Sequence, residues 1–92
     1  MLSTPDHVMV GAGSSANFTC QSNIPNGISW YFKPLGGQLH PFSVTGASAI
    51  VCSSDGRTST VQLHHVEKQF TGTYKCADKD AAAFAQLTVL GK

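Results

Sequence analysis

The segment TGTYKC, Thr71 to Cys76, constrains the fold more than any other stretch of the chain. Successive side chains of an extended strand point to opposite faces, so Tyr74 and Cys76 share one face. Thr73 and Lys75 share the other. An aromatic ring and a sulfur on one side, with polar groups opposite, are typical of a strand that covers a core with one face and meets water with the other. The segment therefore predicts a β-strand with Tyr74 and Cys76 inside.

Cys20 and Trp30, which come earlier in the chain, complete a recognisable spacing. Trp30, the only tryptophan, follows Cys20 by ten residues, and Tyr74 precedes Cys76 by two. With this spacing and its short alternating strands, the chain resembles the immunoglobulin superfamily over nearly its whole length. The resemblance implies an all-β fold, an immunoglobulin-like two-sheet Greek-key sandwich, formed by residues 1–92 as a single domain. It also implies a disulfide between Cys20 and Cys76, with Trp30 and Tyr74 as core markers.

The implied disulfide matters because the chain is short. Ninety-two residues bury a smaller share of their surface than a larger domain does. A bridge from Cys20 to Cys76 would add roughly 4 kcal/mol in the chain-entropy model. Such a bridge persists in oxidising compartments, which predicts an extracellular or cell-surface location.

Charge and hydropathy exclude several classes of partner. The formal net charge is +1, with only 6 basic and 5 acidic side chains, so electrostatic capture of nucleic acid or of an anionic membrane is not expected. The sequence contains no run of eighteen apolar residues, so no transmembrane helix is expected. The segment after Met1 lacks the features of a signal peptide. We expect a domain excised from a larger extracellular protein, which would carry the targeting and membrane-anchoring segments.

Alternating polarity and turn residues predict the other strands, and no window favours a long amphipathic helix. In the strand that contains Trp30, the side chains of Ile28 and Phe32 are also expected to point inward. Between the cysteines there is room for one short strand after the strand of Trp30 (the C′ strand of the family), but not for the further one (C″) that variable-type domains add. This arrangement is that of intermediate-set domains. The predicted strands are His7–Val10, Ser15–Gln21, Ile28–Lys33, Leu39–Val44, Ala49–Ser53, Ser59–His64 and Phe84–Leu90.

Two segments carry further resemblance to variable-type domains. Val66 to Phe70 resembles the corner that precedes the second cysteine, where the family pairs an aspartate with an arginine. Here Phe70 and Ala49 stand at those positions, so we expect Phe70 to pack over Ala49. Leu87 to Gly91, LTVLG, resembles a joining segment. The glycine bulge that ordinarily precedes it is absent, which predicts a straighter final strand.

The residue types offer little for catalysis or metal binding. His64 and His65 are adjacent in a predicted strand and point to opposite faces, while His7 and His40 stand in no ligand spacing. No GxSxG elbow or P-loop signature is present. We expect no enzyme activity, no metal site and no cofactor.

Two side chains leave alternatives open. Asn17-Phe18-Thr19 is an N-glycosylation sequon whose asparagine faces solvent, and it is also an ordinary polar strand face. Cys52 is the odd cysteine, and it could be a reactive thiol, an intermolecular bridge or a small buried hydrophobe. Counting back from Val61 places Ile50 and Cys52 inward, which favours the buried state.

The outer face of the sheet that contains TGTYKC gives the functional hypothesis. Strand parity places two aromatic rings there among small and basic residues, a composition typical of protein interfaces. Scattered surface apolar residues are the alternative. Domains of the resembled superfamily commonly use this face for dimerisation and ligand contact. The predicted ligand or dimer face comprises Tyr31, Lys33, Lys75, Ala77, Phe84 and Gln86.

These observations favour a recognition module of a cell-surface immune-type or adhesion receptor, which binds a protein ligand or a second copy of itself. A passive spacer in a multi-domain receptor is the alternative, and it needs no contiguous exposed aromatic residues. An intracellular domain of the same fold would instead have free thiols at Cys20 and Cys76.

Overall fold

The computed structural model describes residues 7–44, 46 and 48–91, which form eight strands and one short 3-10 helix. The helix comprises Lys68–Phe70 and precedes the seventh strand. The strands are β1 (His7–Gly11), β2 (Ala16–Gln21), β3 (Ser29–Pro34), β4 (His40–Pro41), β5 (Ser48–Cys52), β6 (Thr58–Leu63), β7 (Gly72–Ala77) and β8 (Ala82–Leu90).

The strands form two sheets. A five-stranded sheet has the order β1-β8-β7-β3-β4, and a three-stranded sheet has the order β2-β6-β5. Pairing is antiparallel except between β1 and β8, which run parallel. The predicted edge strand at His7–Val10 is confirmed, and β1 ends the larger sheet.

The core lies between the sheets and follows the period-two pattern of the sequence. In β2 every second side chain is buried, and in β7 every second residue is buried. This alternation arises because each strand turns one face to the opposite sheet and the other to solvent. The buried apolar residues are Ala16, Phe18, Cys20, Trp30, Val61, Leu63, Val66, Tyr74, Cys76, Ala85, Leu87 and Val89.

The disulfide joins the two sheets through the centre of this core. Cys20 of β2 is bonded to Cys76 of β7, with their Cα atoms 6.6 Å apart, as the sequence resemblance implied. Trp30 lies directly beside Cys76 in the β3–β7 register. Its indole Nε1 donates a hydrogen bond of 2.9 Å to the buried Ser59 hydroxyl on β6. A covalent bond and a hydrogen bond therefore both connect the sheets.

The corner before β7 is held by the tyrosine that the sequence singled out. The Tyr74 hydroxyl donates a hydrogen bond of 2.9 Å to the backbone carbonyl of Phe70, at the end of the 3-10 helix. The Tyr74 ring stacks on Phe18 at 5.0 Å between centroids and contacts Phe32 at 4.7 Å. Gly72 is required here because a Cβ at that position would collide with the backbone carbonyl of Lys33.

The inward direction predicted for Ile50 and Cys52 is confirmed, but the prediction that Cys52 is buried is wrong. Both lie on the inward-facing side of β5, since Ile50 is paired with the buried Val61 and Cys52 with the buried Ser59. Ile50 is nevertheless 37% exposed, and Cys52 is exposed. The reason is the position of β5 at the outside of the smaller sheet, opposite the two-residue β4. Because β4 is so short, the five-stranded sheet does not cover the inner face of β5.

The expected contact of Phe70 with Ala49 is also wrong, because the register of β5 differs from the expected one by one residue. Ala49 is paired with Gln62, on the outer side of β5, whereas Ser48 is paired with the buried Leu63. Ser48 is buried and lines one cavity together with Phe70. The small residue on the inner side at the start of this strand is therefore Ser48.

The remaining strand boundaries differ modestly from prediction. Only His40–Pro41 of the expected strand 39–44 forms a strand, although the amide of Phe42 also donates a hydrogen bond of 3.0 Å to the carbonyl of Trp30. The last strand begins at Ala82, two residues early, and its register with β7 is continuous from Gly72↔Leu87 to Ala77↔Ala82. The β7–β8 ladder therefore has no bulge between these pairs. None of the helices in the described ranges is long and apolar enough to cross a bilayer.

Candidate recognition face

Three strands bring the predicted surface residues into adjacent rows on the outer side of the five-stranded sheet. The central row runs from Tyr31 of β3 through Lys75 of β7 to Phe84 of β8. Directly paired residues in neighbouring strands project from the same face of a sheet. These three side chains therefore lie next to one another on the outer side, as strand parity predicted.

The central row is built around one ammonium group. The Lys75 Nζ atom lies 5.3 Å from the centre of the Tyr31 ring and 5.8 Å from the centre of the Phe84 ring. Both distances fall within the range of cation–π attraction, worth about 0.5 to 1 kcal/mol at exposed sites. The lysine is consequently held between two rings, and the Phe84 side chain remains 55% exposed.

The flanking rows contain the other predicted residues. Lys33 and Gln86 lie on either side of Thr73, and both are exposed. Ala77, paired with Ser29 of β3, is half-buried in the next row. All six residues predicted for the ligand or dimer face therefore share one side of the sheet. We call the surface formed by Tyr31, Lys33, Lys75, Ala77, Phe84 and Gln86 the CFG face.

Sequence reasoning missed the extension of this surface onto β1. Met9 is 59% exposed and is paired with Thr88, on the same side as Phe84 and Gln86. The exposed Leu90 follows on β8. Alternation with the inward Val8 and Val10 could have placed Met9 outward, but the parallel pairing of β1 with β8 brings together segments separated by most of the chain. Local periodicity carries no information about that pairing.

The charges of the CFG face have one sign. Lys33 and Lys75 supply two ammonium groups, and among the described residues of its rows there is no carboxylate. His7 lies at the margin, where its Nε2 atom is 2.9 Å from the Thr88 hydroxyl. Such a surface favours a partner that offers carboxylates or aromatic rings.

The turn at one end of the face is ordered by Asp78. Its carboxylate accepts hydrogen bonds of 2.8 Å from the backbone amides of Asp80 and Ala81, and another from the Ser22 hydroxyl. The Ser22 hydroxyl bond, followed by the amide of Asp80, holds the pKa of Asp78 below its usual value. This aspartate therefore acts as a turn cap, and it also ties the β7–β8 turn to the end of β2.

Three other kinds of site were suggested by the residue types: a metal site, the glycosylation sequon and the free cysteine. Within residues 7–44, 46 and 48–91, no three histidine, cysteine or acidic side chains are grouped so as to hold a metal ion. Asn17 and Thr19 of the sequon are both exposed on the outer side of β2. Cys52 contacts the Ser59 hydroxyl, with 3.7 Å between sulfur and oxygen.

Comparisons with known proteins give the fold. No protein-family model and no curated protein matches the chain. Among solved structures, the first immunoglobulin domain of the mouse polymeric immunoglobulin receptor is 16% identical, with a TM-score of 0.78 over 99% of this chain and 95% of that one. A structure described as an IG27 protein domain is 24% identical, with a TM-score of 0.77 over 99% of this chain and 92% of that one. With the two sheets and the disulfide, these likenesses confirm that the chain has the fold of an immunoglobulin domain.

Proposed function

We propose that this domain is an extracellular protein-recognition module, and that it binds a protein ligand or a second copy of itself through the CFG face. The observation that carries the proposal is the central row, in which Lys75 is held between Tyr31 and the exposed ring of Phe84. A few residues supply most of the binding energy of a protein interface, and aromatic rings are prominent among them, since burial of one ring contributes about 2 kcal/mol or more.

The opposite sheet supports the choice of face by contrast. Its outer side carries hydroxyl and amide groups from β2 and β6, such as Thr19, Thr60 and Gln62, beside the exposed aliphatic Val51 of β5. Thr19 and Thr60 hydrogen-bond to each other across the strands, with 2.9 Å between their hydroxyl oxygens. Short polar side chains that satisfy one another bury little apolar surface on binding.

The disulfide supports the proposed extracellular location. A bond between Cys20 and Cys76 persists in secreted and cell-surface proteins, whereas cytosolic thiols stay reduced. The same fold in an intracellular protein would have free thiols. Mass spectrometry of the protein isolated from its native source, alkylated before and after reduction, decides between the two compartments.

A charge substitution tests the role of the CFG face. Phe84→Asp places a carboxylate in the centre of the face, and Val51→Asp makes a comparable change on the other sheet, where Val51 is 50% exposed. We expect Phe84→Asp to reduce binding at least about tenfold and Val51→Asp to leave it unchanged. The readouts are sedimentation velocity over a range of protein concentrations, for self-association, and staining of cells by the multimerised domain, for a ligand.

The passive spacer makes the opposite prediction. If wild-type protein is monomeric at all concentrations and cell staining is the same for Phe84→Asp as for the unsubstituted domain, the CFG face has no recognition role. Far-ultraviolet circular dichroism of each variant shows that the fold is retained. Since Phe84 projects outward from β8, neither the fold nor the core of the domain depends on the Phe84 ring.

We also propose that Asn17 carries an N-linked glycan. The side chain is exposed on β2, in the sheet opposite the CFG face, so a glycan there leaves the recognition surface open. Expression in a secretory host followed by treatment with an amidase that removes N-glycans would show a mass decrease, which Asn17→Gln abolishes. An unchanged mass in the wild type would refute glycosylation at this site.

A further inference from the structure

A cavity of about 270 Å³ opens between the two sheets beside β4 and β5. It lies on the opposite side of the five-stranded sheet from the CFG face, because its lining includes the inward-facing ring of Phe32. Its other walls come from β6, the tyrosine corner and the start of β5. Its apolar lining comes from Phe32, Phe42, Leu63, Phe70 and Tyr74, and its polar lining from His40, Ser43, Ser48 and Gln69.

The cavity exists because small and short elements meet at this edge. Ser48 lies opposite Leu63 and fills little of the space between the sheets. Strand β4 has only two residues, so it does not extend the five-stranded sheet over β5. Phe70 is the residue that stands where the resembled domains have an aspartate. Without a buried ion pair, the space between the sheets is lined by aromatic rings.

The lining selects the chemistry of an occupant. Among the lining residues that the structure describes there is no aspartate, glutamate, lysine or arginine. The Tyr74 hydroxyl is already committed to the carbonyl of Phe70. A charged molecule would lose hydration against the apolar part of this lining, at a cost of several kcal/mol. A neutral molecule with an aromatic ring would contact the edges and faces of the lining rings favourably.

The volume sets the size of an occupant. An engineered apolar cavity of about 150 Å³ in another protein takes up benzene, and small-molecule pockets start at about 300 Å³. A space of about 270 Å³ lies between these values and accommodates one ring or two fused rings. We propose that the cavity between β4, β5 and the tyrosine corner is a binding site for small, neutral aromatic molecules.

Nuclear magnetic resonance titrations of the oxidised domain test this site. The probes are benzene and indole, with benzoate as a charged molecule of similar size. We expect benzene and indole to cause saturable shifts of the backbone amides of Ser48 and Phe70. Intermolecular nuclear Overhauser effects are expected between benzene and the methyl groups of Leu63. Benzoate should bind at least about tenfold more weakly, since its carboxylate would lose hydration against the apolar part of the lining.

A space-filling variant provides the control. Ser48→Leu places a side chain in the cavity and should weaken indole binding at least about tenfold, whereas Ser15→Leu, at an exposed position before β2, should not. The proposal is overturned if the shifts do not saturate, if the Overhauser effects come from exposed residues such as Phe84, or if benzoate binds as well as benzene. Equal binding by a folded Ser48→Leu variant also overturns it. If that variant does not fold, the Overhauser effects in the wild type decide.

Discussion

Removal of one hydroxyl group tests the architecture of the corner. Tyr74→Phe keeps the ring that packs on Phe18 and Phe32 and deletes only the hydrogen bond to the carbonyl of Phe70. Tyr74 is 2% exposed, so the substitution changes almost no surface. The expected loss is therefore that of a single hydrogen bond and of the acceptor it leaves behind.

The magnitude follows from the surroundings of the acceptor. A typical net hydrogen bond contributes about 1 kcal/mol, and a fully buried acceptor left without a partner costs about 1 to 3 kcal/mol. Phe70 is only partly buried, so water can reach its carbonyl after a small rearrangement. We expect the free energy of unfolding to fall by about 1 to 2 kcal/mol. For a domain of this size, such a loss lowers the melting temperature by roughly 5 to 15 °C.

Urea unfolding followed by the fluorescence of Trp30 measures this loss. The matched control is Tyr31→Phe, which removes a hydroxyl from the outer side of the same sheet and should change stability by less than about 0.5 kcal/mol. If Tyr74→Phe is no more destabilised than Tyr31→Phe, the hydroxyl does not hold the corner. Both variants are best made with Cys52→Ser, because an exposed thiol permits disulfide exchange in the unfolded state.

The pH dependence of the free energy of unfolding, compared between the wild type and Tyr74→Phe, tests the burial of the hydroxyl. Burial raises the pKa of Tyr74 above its ordinary value of 10.0. Above that value, Tyr74 in the unfolded chain loses its proton while the folded protein retains it, so the stability of the wild type falls as pH rises. Tyr74→Phe lacks this titration. The stability difference between the two proteins should therefore narrow between about pH 9 and about pH 11. A constant difference would show that the pKa is not raised.

Three further predictions concern the sulfur atoms and the indole. Replacement of Cys20 and Cys76 by alanine should cost about 4 kcal/mol in urea unfolding, given the sequence separation of 56, and a loss below about 1 kcal/mol would contradict the chain-entropy argument. Cys52 should react with iodoacetamide in the folded, unreduced protein to give a single adduct by mass spectrometry, and protection until denaturant is added would contradict its exposure. In a double-mutant cycle, Trp30→Phe and Ser59→Ala should show a coupling of about 1 kcal/mol through the Nε1 hydrogen bond, and additive losses would exclude it.

The inward positions were predictable wherever both sheets extend over them. In β2 and β7, residues that alternate on one side lie between two complete layers, so facing inward and being buried are the same thing. At β5 they are different. Ile50 and Val61 are paired and project to the same side, yet Val61 is 0% exposed and Ile50 is 37% exposed. Sequence periodicity reports the direction of a side chain, whereas burial also depends on the length of the strand opposite.

Register was the second limit of sequence reasoning. The side-chain period of a strand is two, so a shift of one residue moves a side chain to the opposite face. Ser48 and Ala49 illustrate the consequence, because the pairing of Ser48 with Leu63 sends Ala49 to the outer side. The aromatic cavity could not be foreseen either. It depends on that register and on the early end of β4, and neither is encoded by a local motif.

The two outer faces of the sandwich differ in a way that follows from the sequence. On the three-stranded sheet, the sequon and the hydroxyl pair of Thr19 and Thr60 keep the surface hydrated. On the five-stranded sheet, Lys75 lies between two rings and no described residue of the central row supplies a counter-charge. Two copies joined face to face about a two-fold axis through this row would bring their lysines together, which costs free energy unless each lysine meets a ring of the other copy. A partner that presents a carboxylate avoids that cost, so of the two partners proposed above we expect a distinct protein ligand to bind more tightly than a second copy.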